Sequence, residues 1–235
     1  MNFKMLPSAA TAILYSIIIT ASGCGNNESK SNFSSQPLEI ARTPGETIML
    51  FDGTDFDNWQ MAVPDGWKID DGALLCAGNG DIWTKEHFGN FALECDFKMS
   101  SDCNSGIFIR TGNPNDPVQT GMEIQVIDSY GKANPDKHDC GAFYDLMAPL
   151  ENAAKPSGEW NHITITCNNS LITVVLNNVH IIDANVEDWV TAHKNPDGTE
   201  NKFNKPIKDF PRTGFIGFQD HGHSVWYRDV TITIL

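Results

Sequence analysis

The chain has 235 residues, room for one or two domains, and a hydrophobic fraction of 40 % that is normal for a globular protein. Its 30 acidic side chains against 16 basic ones give a net charge of −14. Such a surface repels phosphate backbones, which argues against nucleic acid as a partner and is compatible with a soluble secreted domain.

The first element is an apolar stretch. Lys4 supplies a small positive leader, Leu6 to Thr20 is apolar, and Ala21-Ser22-Gly23-Cys24 follows. The stretch is too short and too abruptly ended to cross a bilayer convincingly, and it has the layout of a signal peptide. Small residues before a cysteine resemble the lipobox read by lipoprotein signal peptidase, with Ala21 where most lipoboxes carry Leu. The expectation is a signal peptide over residues 1–23, acyl chains on Cys24, and a bacterial cell-envelope protein at the periplasmic or outer-membrane surface. Its membrane contact is then through the lipid anchor only. Residues 24–45, polar and rich in Asn and Ser, read as the lipidated cysteine and a flexible tether.

From Glu46 to Leu235 short apolar runs alternate with turn clusters, and no internal repeat is visible. The plainest strands are Phe91–Met99, Gly106–Arg110, Met122–Ile127, Asn161–Cys167, Leu171–Leu176, Phe215–Gln219 and Val225–Leu235. Asp71-Gly72, Asn113-Pro114, Asn134-Pro135, Asn168-Asn169 and Asn195-Pro196-Asp197-Gly198 separate them. A short helix is expected around Val186–His193. The connection Asn185–Arg212 is long and polar, and loops of that length are often functional or partly disordered. Many short strands without intervening helices predict an all-β sandwich or jelly roll. Of the five cysteines beyond Cys24, Cys95 and Cys167 sit in strand alternations as small buried hydrophobes. Cys103 and Cys140 lie in loop surroundings, where a bridge is open to them in an oxidising compartment. With no Cys-x-x-Cys, a zinc knuckle or thioredoxin-type site is not expected.

Neighbouring side chains in a strand face opposite sides. Met122, Ile124 and Val126 therefore share one face, with Glu123 and Gln125 on the other. Ile107 and Ile109 face the core, with Phe108 and Arg110 opposite, and Gln219 opposes Ile216 and Phe218. Trp226 and Arg228 share a face opposite Val225 and Tyr227. One face rich in Glu, Gln, Arg and aromatic groups suits a sugar: CH faces stack on rings and hydroxyls bond in pairs to carboxylate, amide and guanidinium. The plainer reading is a solvent face with an Arg110–Glu123 ion pair. His221 and His223 could transfer protons or take part in a divalent metal site, or be surface residues. No cofactor is required by the pattern.

The segment Glu46–Leu235 resembles the bacterial 3-keto-disaccharide hydrolase domain family. The resemblance rests on Leu50-Phe51-Asp52-Gly53-Thr54 with Asn58-Trp59, Trp67-Lys68-Ile69 with Asp71-Gly72-Ala73-Leu74, and Asn104-Ser105-Gly106-Ile107 with Arg110. It continues through Gly121-x-Glu123-x-Gln125-x-x-Asp128, Gly141-Ala142-Phe143-Tyr144 and Gly158-Glu159-Trp160-Asn161. Gly217-Phe218-Gln219-Asp220-His221-Gly222 and Val225-Trp226-Tyr227-Arg228 close it. Where the family usually has Asn-Gly in the penultimate hairpin this chain has Asn177-Asn178, and Asn also tolerates positive φ. The resemblance implies a concanavalin A-like β-sandwich of two curved antiparallel sheets with the site on the concave sheet. It also implies an enzyme acting on oligosaccharides or 3-keto-glycosides. A C3 ketone acidifies the C2 hydrogen; a base removes it, the C1 substituent leaves, and water adds back. Glu123 is then the candidate base, with Arg110 and His221 as donors to the enolate. Gln125, Gln219, Tyr144, Trp226, Arg228 and Asn104 would hold the ring. A non-catalytic carbohydrate-binding module stays open as the alternative. A conventional two-carboxylate glycosidase is disfavoured, since the strand offers only the amide Gln125 two positions from Glu123.

Overall fold

A computed structural model describes residues 40–235. The expected signal peptide, Cys24 and most of the tether lie outside the described residues. Near the end of the expected tether, Arg42 already pairs with Glu86 at 2.7 Å and with Glu46 at 2.6 Å.

The described strands are β1 (Thr47–Phe51), β2 (Trp59–Met61), β3 (Trp67–Asp70), β4 (Ala73–Cys76), β5 (Ile82–Thr84), β6 (Phe91–Met99) and β7 (Asn104–Thr111). After a four-residue helix α1 (Pro117–Thr120) come β8 (Met122–Ile127), β9 (Trp160–Asn168), β10 (Leu171–Leu176), β11 (Val179–Asn185), β12 (Phe215–Phe218) and β13 (Val225–Ile234). They form two antiparallel sheets. The larger runs β11-β10-β9-β6-β13-β4-β3, with β1 also on β13, and the smaller runs β2-β5-β12-β7-β8. This is the expected sandwich. The helix expected around Val186–His193 is only a 3-10 turn over Val186–Asp188. Trp189 instead buries its ring and donates its indole N–H to Asn195 Oδ1 at 2.9 Å, so a tertiary contact outweighs local helical preference.

Alternation builds the core. In β6, Phe91, Leu93, Cys95, Phe97 and Met99 are buried while their neighbours are not, and Ile163, Ile165 and Cys167 of β9 repeat the pattern. They meet Ile107, Ile109, Ile124, Val126 and Phe218 of the smaller sheet in one continuous cluster. Phe218 on β12 stacks on Tyr227 of β13 with centroids 3.9 Å apart and planes 4° from parallel, so one ring pair ties the two sheets. The Tyr227 hydroxyl lies 3.0 Å from Ser105 Oγ, which donates to the Gln219 carbonyl at 2.7 Å. The buried end of the aromatic stack is thereby paired, as a buried hydroxyl requires. The Asn177-Asn178 hairpin forms with both residues at positive φ (51° and 68°), and Leu176 pairs with Val179 directly across it. Cys103 and Cys140 are both buried and both free thiols, so the bridge considered for them is not formed.

Candidate functional site

Cross-strand pairing fixes which side chains share the outer face of the smaller sheet. Gln60 pairs with Trp83, Trp83 with Gly217, Gly217 with Phe108, and Phe108 with Glu123. Directly paired residues point the same way, so these five form one row across β2, β5, β12, β7 and β8. A second row runs beside it. Gly106 pairs with Gln125, Gln219 donates its backbone N–H to the Gly106 carbonyl at 2.9 Å, and Asp81 stands two positions before Trp83. Asn104, two positions before Gly106, accepts from Gln125 Nε2 at 2.9 Å.

Two glycines shape this face. A Cβ at Gly106 would lie 2.1 Å from Glu123 Oε1, and one at Gly217 would lie 2.4 Å from the Trp83 ring. The missing side chains let the Glu123 carboxylate lie over β7 and the Trp83 ring over β12. Trp83 and Phe108 stack at 5.3 Å and are buried with Phe215, so these rings form a firm support rather than an open platform.

Strand β8 has a free edge, which the chain covers with its own segment 141–144. Gly141 N–H donates to the Gln125 carbonyl at 2.8 Å, Gln125 N–H to Ala142, and Tyr144 N–H to the Glu123 carbonyl at 2.9 Å. Covering an edge this way removes its pairing liability. It also explains why Glu123 and Gln125 are buried (7 % and 3 % exposed) although strand parity turns them away from the core. Burial, the largest influence, pushes the Glu123 carboxyl up to about 7; the nearby Lys202 cation pulls it down and the Asp81 charge adds to the rise. Asp81 rises to about 6, again chiefly through burial, although it accepts the Asp220 N–H at 2.8 Å and His221 acts in the opposite sense. For Asp220, burial is outweighed by the amides of Gly222 and Gly80, and its carboxyl is held below the usual range. The face thus carries two raised carboxyl groups, Glu123 and Asp81, while the Asp220 carboxylate turns to the Cys76 thiol and the Gly80 amide.

A clasp of two loops brings further groups to it. Asp145, in the left-handed region (φ 61°), pairs with Lys137 Nζ at 2.7 Å and accepts the Lys202 N–H at 2.7 Å. His138 Nε2 lies 3.1 Å from the same carboxylate. The Lys202 ammonium stands 4.0 Å from the centre of the Tyr144 ring.

The expected site is therefore assembled in part. Glu123, Gln125, Asn104 and Gln219 share the face, Tyr144 borders it, and His221 stands at the Asp81 end. His223 turns its Nδ1 toward the His221 carbonyl at 3.1 Å. Three residues require correction. Arg110 does not face Glu123. Thr111 pairs with Phe215 but Phe108 with Gly217, so β7 carries one extra residue, a bulge with Arg110 at φ 51°. A bulge reverses the alternation beyond it. Arg110 is fully buried and donates to the carbonyls of Gly89 (2.8 Å) and Asn169 (2.7 Å) and to Asn90 Oδ1 (3.1 Å). Trp226 and Arg228 do share a face, but it is the outer face of the larger sheet. There Trp226 donates to Asp70 at 2.9 Å, and Arg228 donates to Asp96 and lies 4.0 Å over the Trp160 ring. Alternation identifies sides of a strand, not which sheet the strand joins. Conversely, Asp81, Trp83 and Lys202 were missed. The alternation Asp81-Ile82-Trp83 carried a readable signal for the first two. Lys202 had only the length of its loop.

Among the described residues no group of three or more His, Cys, Asp and Glu side chains is spaced to hold a metal ion. The divalent metal left open by the histidines finds no such ligand set among these residues.

A two-sheet jelly roll with raised carboxyl groups and amides on one face is an architecture that carbohydrate-active β-sandwich proteins of glycosyl hydrolase type share with lectins. The 3-keto-alpha-glucoside-1,2-lyase-like domain matches residues 46–233, and the chain belongs to that family. It is 27 % identical over 228 residues to a 3-keto-disaccharide hydrolase of Bacteroides thetaiotaomicron, covering 80 % of this chain and 78 % of the relative. A crystal structure from Parabacteroides distasonis, provisionally named a glycosyl hydrolase, superposes with a TM-score of 0.75 at 33 % identity, over 81 % of this chain and all of the other. A galectin-like structure from Bacillus subtilis (TM-score 0.51, 13 % identity, 81 % of this chain and 97 % of the other) shares the fold alone.

Proposed function

We propose that the outer face of the smaller sheet cleaves 3-keto-glycosides by proton chemistry at C2, with Glu123 as the base. The observation that supports this most is the Glu123 carboxyl itself. It is buried, laid over Gly106, and raised to about 7, where a carboxylate is both available and basic enough to take an activated C–H proton. The C2–H electron pair forms the enolate. Reformation of the C3 carbonyl expels the C1 oxygen, which takes up a proton, and water then adds to give back C1–OH and C2–H. Glu123 returns the proton it has taken from C2 to the leaving oxygen, and Asp81 with His221 lines the other end of the face. Gln125, Asn104 and Gln219 offer amide groups to the ring hydroxyls. The relative named a 3-keto-disaccharide hydrolase supports the substrate class. The protein is proposed to act from the cell envelope, held by acyl chains on Cys24.

A second reading is favoured by one observation, the second carboxyl group. Asp81 is a second raised carboxyl group on this face, and its charge acts on Glu123. Direct hydrolysis with inversion uses two carboxyl groups with room for a water between them. One experiment separates the two: the purified domain is incubated with a glucoside and with its 3-keto derivative, and products are followed by mass spectrometry. Cleavage of the keto substrate alone supports C2 chemistry. Cleavage of the unoxidised glucoside replaces it with two-carboxylate hydrolysis.

A further inference from the structure

Chemistry beside a ketone needs a positive charge or donor where the enolate oxygen develops. The sequence had offered Arg110 for this, and Arg110 is turned away and spent on three protein acceptors. Three observations bear on what replaces it. First, Lys202 is the cation whose charge acts on Glu123, and the Glu123 charge acts back on it. Second, its backbone is immobilised. The flanking Asn201 and Phe203 are buried, Lys202 N–H donates to Asp145 Oδ2, and its carbonyl accepts from Gln119 Nε2 at 3.1 Å. Its side chain therefore leaves a fixed point and runs to the face of Tyr144, whose own N–H is bonded to the Glu123 carbonyl. Third, the other lysine of the clasp, Lys137, is paired with Asp145 at 2.7 Å, whereas the Lys202 ammonium lies on a ring face and has no carboxylate partner among the described residues.

We infer that Lys202 is the enolate-stabilising group of this site, held by the Asp145 clasp on the ring of Tyr144, the residue that pairs with Glu123. The ammonium donates a hydrogen bond to the C3 oxygen as the C2 proton passes to Glu123. It keeps its own proton, so the charge on that oxygen is balanced without a further transfer, and the bond weakens as the carbonyl reforms and the C1–O bond breaks. The Tyr144 face supports a cation without accepting its protons. Asp145 is a positioning residue, because it touches the backbone of Lys202 and not the substrate. The inference rests on the reading of this face as a site of C2 chemistry.

The test uses a 3-keto-glucoside in D2O, with C2 hydrogen exchange and aglycone release followed together for the wild type and for Lys202→Met, Lys202→Arg and Glu123→Gln. Lys202→Met keeps the stem and removes the charge. It is expected to lose about 100-fold or more in exchange and kcat, as removal of a donor to a developing oxyanion does, with KM little changed. Removing a cation also raises the Glu123 pKa, so the acid limb of its pH profile moves to higher pH; that shift reports the nearness of the charge, and the loss of C2 exchange at unchanged KM reports the enolate role, which a merely structural lysine would not produce. Lys202→Arg, which keeps the charge, is expected within tenfold of wild type with an unmoved acid limb. Wild-type exchange rates in Lys202→Met, or a loss confined to KM, overturn the role of Lys202 and leave the Glu123 base standing. If Lys202→Met is unfolded by near-UV circular dichroism, the arginine variant decides: a folded Lys202→Arg protein more than 100-fold slower overturns the inference. A wild-type protein that neither exchanges the C2 hydrogen nor releases the aglycone overturns the base reading, and Lys202's role falls with it.

Discussion

Glu123→Gln separates catalysis from stability in a way the structure quantifies. The substitution keeps the volume of the side chain and its place over Gly106, and it removes both the charge and the proton-accepting oxygen. Glu123 is buried and its carboxyl sits at about 7, against an ordinary 4.5. In the folded protein it therefore holds a proton that the unfolded chain gives up at lower pH. Between about pH 4.5 and 7 the native state binds more protons than the unfolded state, so this group's contribution to stability falls as pH rises through that window. At about 1.4 kcal/mol per pH unit the cost reaches about 3 kcal/mol above pH 7. A neutral glutamine does not bear it. Glu123→Gln is accordingly expected to be more stable than wild type at pH 8, by up to about 3 kcal/mol, and close to wild type at pH 4.5. Its kcat on a 3-keto-glycoside should fall by about 100-fold or more. Urea unfolding at the two pH values and steady-state kinetics with kcat and KM resolved are the assays. Equal stabilities of the two proteins at pH 8 would refute the raised pKa. An unchanged kcat would remove Glu123 as the base and make His221 the next candidate.

Gly106→Ala places a methyl group where the Glu123 carboxylate lies, and the end of a flexible side chain yields first. We expect kcat to drop about tenfold or more with little loss of melting temperature, since a displaced reacting group costs rate steeply; retained activity would show that the carboxylate works from another position. Arg110→Met strands the carbonyls of Gly89 and Asn169. It should cost about 2–4 kcal/mol in chemical denaturation while kcat of the remaining folded protein holds, and a selective loss of kcat would return Arg110 to the chemistry. Cys24→Ala should move the protein from the membrane fraction to the soluble fraction after cell lysis, and unchanged membrane association would refute acylation at that residue.

The sequence by itself determined the sandwich and half of the site. Alternation is a property of single strands, so Phe91-x-Leu93-x-Cys95-x-Phe97 could only be buried on one side, and Met122, Ile124 and Val126 turned Glu123 and Gln125 to the other. The positive φ that Asn tolerates carried the Asn177-Asn178 hairpin for the same local reason. What strands do to one another lay beyond it. Whether Trp226 and Arg228 lined the same sheet as Glu123 depended on β13 pairing with β6 and β4 rather than with β12, a contact between segments far apart in the chain. Arg110 was misplaced by a single extra residue in β7, whose bulge is set by the register against β12. Burial of Glu123, and with it the pKa that makes it a candidate base, came from segment 141–144 folding along the edge of β8. Lys202 reached the site because the Asp145 carboxylate, 57 residues before it in the chain, fixed its backbone. Side-chain direction is local and can be read from spacing; strand partners, desolvation and charge pairing are made by residues distant in sequence, and only the folded chain brings them together.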